Sequence, residues 1–421
     1  MADYRPITDD HRARYHAIMQ QAFDADSGPA PSYAAGDADE DPEDWPPDLS
    51  DPRGLVVEHE ETGAEEVVST CKLYYLDATV RGEWTQIGGL GGVATPPEHR
   101  RKGYSRETLR GALAEYRENG VDLVALWPST VRFYRGLGWG VANRKHRARV
   151  PPVQLGSVEG ADPAGGDDGR FRQLDADDWE RLRRVEVERA ERFGLSLRRS
   201  EDWWRKRTLA AWPGDPGPYV YGYKVGGDLR GYVLTHVRDG GEGSDGSELK
   251  VQDLAGVDHD AERTLLGFLA NYDSQVDSVL LDGPLASDLP ELVPDPGELD
   301  VTESVGTMVR LTDVRRWLEG YDWPADLEDR FVLDVTDPLI DRNDDQFVVH
   351  LADGDAAVES AGGDLAGDAA LGVGTLSRLA IGAIDVGRAE RLCDLRVHDD
   401  GVRATLEAAF PHEPVYLREF F

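Results

Sequence analysis

Apolar positions along the first 155 residues switch between helical and strand periods. Tyr15, Ile18, Met19 and Ala22 fall on one face of a helix, and strand-like runs follow at 54–58 and 66–71. An apolar, glycine-rich run at 87–94 leads into a loop at 95–102. The next helix carries Leu109, Ala112, Leu113 and Tyr116 on one face and stops at Asn119-Gly120, before another strand at 123–127. The same helical face returns 156 residues later as Leu265, Phe268, Leu269 and Tyr272, flanked by strand-like runs at 249–254 and 279–281. Matching strands on both sides of a matching helix predict an internal duplication. Further on, strands are expected at 331–335 and 347–351, followed by short helices.

Two shifts in composition divide this pattern. Residues 156–169 form a Gly- and Asp-rich linker, and near Thr312-Asp313 a strand at 307–311 gives way to a helix with Val314, Trp317 and Leu318. Domains over 1–155, 170–311 and 312–421 follow, as a chain of 421 residues exceeds what one core supports. The strand–helix alternation makes the fold class α/β.

Charge narrows the function classes. Against 46 Lys+Arg stand 81 Asp+Glu, a formal net charge of −35, so binding to nucleic acid is disfavoured. Lysine is confined to Lys72, Lys102, Lys145, Lys206, Lys224 and Lys250. An acidic, lysine-poor surface suits a halophilic protein working where salt cuts the Debye length to about 3 Å and screens self-repulsion. No run has the apolar length of a membrane span, and Met1-Ala2-Asp3-Tyr4-Arg5 lacks a secretory leader's pattern, so the cytoplasm is expected. Cys71 and Cys393 stand alone and the histidines are scattered, so neither a disulfide framework nor a metal site is expected. A Gly-x-Ser-x-Gly nucleophile motif is missing from the sequence.

In so acidic a chain, Arg100-Arg101-Lys102-Gly103-Tyr104-Ser105-Arg106 stands out, with four cations between a strand and a helix. Unsatisfied N–H groups at a helix start suit phosphate oxygens, Gly103 permits close approach, and the cations can neutralise a pyrophosphate. A solvated basic turn accounts for the same residues. Val93 with Arg100-x-x-Gly103-x-Ser105 resembles the acetyl-CoA motif of GNAT N-acetyltransferases. The stretch 127–140, from Trp127-Pro128-Ser129-Thr130 through Phe133-Tyr134-Arg135-Gly136 to Gly140, resembles the enhanced intracellular survival (Eis) acetyltransferase family. That likeness extends to Trp203-Trp204-Arg205, Met308-Val309-Arg310-Leu311 and the aromatic residues at 420–421.

The resemblance implies two GNAT-like domains followed by an α+β domain similar to sterol carrier proteins. It implies acetyl-CoA contacts from Val93, Ala94, Thr95, Arg101, Lys102, Gly103, Tyr104, Ser105, Arg106, Ser129 and Thr130. Tyr134 would be the general acid towards the departing thiolate, although by its residues alone it reads as a core aromatic beside Phe133 and Leu137. The α-carboxylate of Phe421 would be the base; a tail that merely packs is the plainer account. The second GNAT-like domain is expected to bind no CoA, because Asp258-His259-Asp260 stands where the first has Lys102-Gly103-Tyr104. Acceptors would be primary amines of cationic small molecules, aminoglycoside- or polyamine-like, or of protein lysines. Asp24 and Asp26 are candidate amine contacts, although solvated loop acids explain them as well. Assembly as a homo-oligomer, a hexamer, is implied too. The rival from another class is a non-enzymatic carrier of apolar ligands acting through the third domain.

Overall fold

The computed structural model describes residues 2–24, 49–59, 62–158, 169–210, 217–240, 246–363 and 365–421. The early helical face becomes helix Asp9–Phe23, and the first strands are β1 (Ala2–Pro6), β2 (Asp51–Glu58), β3 (Glu65–Val80) and β4 (Glu83–Ala94). Helix Tyr104–Glu118 buries Leu109, Ala112, Leu113 and Tyr116, the stripe read from the sequence. It precedes β5 (Leu123–Leu126), helix Val131–Arg135, β6 (Gly140–Val141) and β7 (Arg144–Val150). The second unit supplies β8 (Arg170–Leu174), β9 (Tyr219–Val225), β10 (Asp228–Asp239), β11 (Ser247–Gly256), helix His259–Leu269, β12 (Ser278–Asp282), β13 (Asp300–Val305) and β14 (Met308–Leu311).

The sheets do not follow the expected division of the chain. Their strand orders are β1-β2-β3-β4-β5-β14-β6 and β8-β9-β10-β11-β12-β7-β13. Each unit lends one strand to the other. β14 lies antiparallel between β5 and β6, with Met308 opposite Leu126, while β7 lies between β12 and β13, with Val150 opposite Val279. The equivalence of the two orders bears out the duplication. It also shows an exchange across the expected boundaries, since residues 144–150 pair in the second sheet and 308–311 in the first. The reason is burial: Val309 and Leu311 lie in the core that the first sheet shares with the third unit, Ala148 and Val150 in the core of the second. Enclosing a Val or Leu side chain is worth roughly 1.5–3 kcal/mol, so each unit needs its borrowed strand.

The third unit is a five-stranded sheet in the order β17-β16-β15-β18-β19, from β15 (Asp329–Thr336), β16 (Asp345–Ala352), β17 (Asp355–Ser360), β18 (Ala369–Gly372) and β19 (Arg396–Val397). Its core residues Phe331, Val349, Leu376 and Leu406 are continuous with Tyr74, Leu76, Ile87, Ala125 and Val309 of the first sheet. A fully buried Arg310–Asp337 pair joins β14 to it. Breaking such a pair from one side typically costs about 3–5 kcal/mol. The third unit is thus docked rigidly, with its last residues aimed back at the first sheet. Among the described residues no helix is long and apolar enough to cross a membrane.

Candidate active site

The site begins where a sheet comes apart. β4 and β5 run parallel and pair only at Gly88–Val124 and Gly89–Ala125, yet β4 continues to Ala94. Beyond Gly89 the strands diverge and leave a wedge. A bulge between Thr70 and Lys72 of the facing β3 register, with Gly92 at φ +58°, re-aims the end of β4 carrying Val93 and Ala94. The glycines of this run are needed for close approach. A Cβ on Gly88 would meet the Tyr116 ring at 2.6 Å, and one on Gly89 would meet Leu76 at 2.8 Å and the Phe421 ring at 2.9 Å. On Gly91 it would sit 3.0 Å from the Phe421 carboxyl carbon. The Tyr116 hydroxyl donates to the Gly89 carbonyl (2.6 Å) and accepts from the Tyr74 N–H (3.2 Å), bracing the strand from below.

β4 opens into the basic loop. Thr95 Oγ1 donates to Ser69 (2.9 Å) and lies 2.8 Å from Ser105 Oγ, while Arg100 Nε donates to the Thr95 carbonyl (3.0 Å), so both ends of the loop are tied. Arg101 (φ +64°) and Gly103 (φ +89°) adopt left-handed backbone, and Gly103 precedes the first turn of helix Tyr104–Glu118. Arg101, Lys102 and Gly103 are exposed, and nothing lies within 4 Å of a Cβ position on Gly103. Open space, exposed cations and unsatisfied first-turn N–H groups fit a pyrophosphate. The Arg106 guanidinium donates to the Pro338 carbonyl, beside Arg110 on Leu339, and so also contacts the third unit.

Tyr134 sits on the short helix Val131–Arg135, buried edge-on against Trp139 and Phe133 with ring centroids 6.1 and 5.0 Å apart. Burial pushes its phenol up to about 12, opposed by a hydrogen bond with the Ser129 side chain. Ser129 and Thr130 are exposed, and the Thr130 carbonyl accepts from Phe133 N–H (3.0 Å) to start the helix. Tyr134 packs with Leu90 and Leu126, whereas Phe421 packs with Tyr74, Leu76, Ile87 and Ala125. Since successive strand residues face opposite ways, Tyr134 and Phe421 approach the wedge from opposite faces of the sheet.

Residues that sequence reasoning missed hold the tail there. Trp127 Nε1 donates to the Glu419 carbonyl (2.7 Å), and Arg207 donates to that of Phe420 (2.9 Å) while lying over the Trp203 ring at 4.6 Å. Arg199 binds the Glu419 carboxylate (2.8 Å) and stacks on Trp204 at 4.8 Å. The Trp203-Trp204 pair, singled out in the sequence, was the available signal: it supports both arginines. Asp24 ends its helix, its N–H on the Gln20 carbonyl (2.8 Å), and Asp26 lies outside the described residues.

The second unit differs at the equivalent place. Its strand-to-helix connection is 257–258, against 95–103 in the first, so the loop itself is gone. The N-cap equivalent to Gly103 is Asp258, one residue from the expected match with His259. Its carboxylate accepts from the Ala261 N–H (2.8 Å) and pairs with Arg230, and so occupies the anion position at the helix start. Among the described residues no group of three or more His, Cys, Asp or Glu side chains is arranged to hold a metal.

Comparison with known proteins agrees with this geometry. The sequence matches the acetyltransferase (GNAT) domain family twice, over residues 3–142 and 195–311, and the sterol carrier protein domain family over 314–418. No curated relative matches. Among solved structures, a GCN5-related N-acetyltransferase from Anabaena variabilis superposes with a TM-score of 0.78 at 19% identity, covering all of both chains. A probable N-acyltransferase from Enterococcus faecalis gives 0.79 at 18%, and Eis1 from Mycobacterium abscessus 0.73 at 23%, again over all of both chains. At such identities the likeness establishes the fold.

Proposed function

With two tandem GNAT acetyltransferase domains and a sterol carrier protein domain, the chain belongs to the GNAT family of CoA-dependent acyltransferases, and we propose that its first domain acetylates a primary amine directly. The observation that carries this reading is the Phe421 carboxyl carbon beside Gly91, inside the wedge that leads to the basic loop. Acetyl-CoA, as donor, would supply the acetyl group and leave as the thiol. The backbone of Val93, Ala94 and Thr95 would hold its pantetheine arm, and Arg101, Lys102 and the N–H groups from Gly103 to Ser105 its pyrophosphate, with Ser129 and Thr130 flanking. The Phe421 carboxylate would take a proton from the amine on one face of the sheet. Tyr134 would hold a proton for the leaving sulfur on the other.

The acceptor reading is a cationic amine, aminoglycoside- or polyamine-like, or a protein lysine. Its support is the resemblance to Eis and an acidic chain that attracts cations. Thiol release from acetyl-CoA with a panel of such amines in molar salt tests it; no release with any amine would sink the reading and favour the apolar-ligand carrier.

Two further outcomes are expected. Calorimetry should find one acetyl-CoA site per chain, and Arg101→Glu with Gly103→Glu should abolish it, because two carboxylates would then face the pyrophosphate. Two sites, or unchanged affinity, would contradict this assignment. The same reading carries a homo-hexamer in a salt-rich cytoplasm, for which light scattering in molar salt is the check; a monomer at micromolar concentration would rule it out.

A further inference from the structure

The second GNAT domain also has a wedge, and it is full. β11 and β12 pair only from Glu248–Ser278 to Lys250–Leu280, while β11 continues to Gly256. The unpaired stretch carries Asp253 and Leu254. Arg418 donates to the Leu254 carbonyl (2.9 Å) and pairs with Asp253, and a Cβ on Gly283, just past β12, would meet the Tyr416 hydroxyl at 2.6 Å. Residues 416–418 therefore lie in the second wedge. Three residues on, Phe421 lies in the first, so one tail threads both openings in turn.

The pin between them is Arg199. Only 5% exposed, it binds Asp253 on β11 (2.5 Å), Glu186 on helix Trp179–Ala190 (2.9 Å) and Glu419 on the tail (2.7 Å) at once. Asp253, Glu186 and Glu419 are themselves buried. The cavity at the cluster, about 10 Å³, barely admits one water, so these charges meet each other directly. Salt that screens the acidic surface does not reach a desolvated cluster. A carboxylate fixed at 419 sets where the main chain goes next, since two residues span at most about 7 Å.

We propose that Arg199, from the domain expected to bind no CoA, is a positioning residue for acetyl transfer. It holds Glu419 and thereby fixes the Phe421 carboxyl group at Gly91. This rests on the reading of that carboxyl group as the base. In the first domain the wedge admits a ligand; in the second it serves as a socket for the tail.

The test uses the full-length protein, with Arg199→Gln, Arg199→Lys and removal of Phe421, singly and combined. Arg199→Gln should lower kcat by roughly 10²-fold, the scale of an angstrom-sized misplacement, with the KM for acetyl-CoA within about twofold of wild type. Arg199→Lys should fall between. In protein lacking Phe421, Arg199→Gln should cost nothing more, because its effect passes through the residue already gone. Carboxypeptidase should shorten the Arg199→Gln tail faster than the wild-type tail. Should Arg199→Gln fail to fold, the isosteric Glu419→Gln replaces it with the same expected outcomes. A folded variant with wild-type kcat and an equally protected tail overturns the proposal, as does a loss that multiplies with that of removing Phe421. If removing Phe421 alone leaves kcat unchanged, the base assignment fails instead, and tail protection still reports on Arg199.

Discussion

One glycine added after Phe421 is expected to lower kcat by roughly 10²-fold or more while the protein still folds and binds acetyl-CoA. The extension moves the terminal carboxylate by about 3.5 Å, the length of one residue. The wedge leaves little room for adjustment: the Phe421 ring touches the face of Gly89 and packs 5.4 Å from the Tyr74 ring, and its carboxyl carbon lies against Gly91. An unperturbed α-carboxyl has a pKa of about 3.5 and is a feeble base towards an ammonium, so its usefulness depends on burial and placement. Phe421 is 8% exposed, which supplies the burial. Gly91→Ala provides an independent check, because a Cβ 3.0 Å from the carboxyl carbon displaces the group without altering its chemistry. Both variants should keep acetyl-CoA affinity, since the loop at 95–103 is untouched. Wild-type kcat in the extended protein would mean that another group, or an ordered water, takes the proton.

The part of this site that lies within one stretch of chain was legible in the sequence. Val93, Arg101, Gly103 and Ser105 sit on a strand, loop and helix that follow each other directly, so spacing carries their geometry. Tyr134 was legible only through a resemblance, because burial against Trp139 looks the same for a core aromatic and an acid. The strand exchange was hidden for another reason. Periodicity marks 307–311 as a strand but not which sheet receives it, and the basic stretch 144–150 does not read as a strand at all; in the fold its arginines are paired, Arg147 with Asp282 and Arg149 with Glu248. Arg199 left no trace in spacing, as two of its three partners, Asp253 and Glu419, lie 54 and 220 residues away. Arg106 carries a contact that its motif could not announce, because its partner Pro338 lies in a neighbouring domain that the motif does not contain. Asp24 and Asp26 are candidates because amine substrates are cations and both follow the first helix, and in a chain with 81 acids the choice between an amine contact and a solvated loop is not written in local acidity.

Tyr134→Phe should lower kcat by roughly 10²-fold with acetyl-CoA affinity nearly unchanged, as for loss of a positioned acid. The substitution removes one hydroxyl and keeps the ring that packs against Trp139 and Phe133, so neither the core nor the loop has reason to move. What disappears is the proton donor and its hydrogen bond with Ser129. The pH dependence separates this role from a structural one. Because burial raises the Tyr134 phenol to about 12, the proton-bearing form persists at every lower pH, and an acid is lost only as pH climbs through its pKa. In the wild type, therefore, kcat should show no alkaline fall from this group below about pH 11. The same desolvation raises the basicity of a thiolate beside it, which keeps the phenol a useful donor despite its high pKa. Ser129→Ala removes the hydrogen bond that opposes the shift and should leave kcat far closer to wild type than Tyr134→Phe does. Measuring kcat from about pH 7 to 10 for all three proteins decides the matter. A wild-type rate in Tyr134→Phe would remove Tyr134 from the acid's role and return it to the core, whereas an alkaline limb near pH 9 that vanishes in that variant would keep the role and overturn the raised pKa.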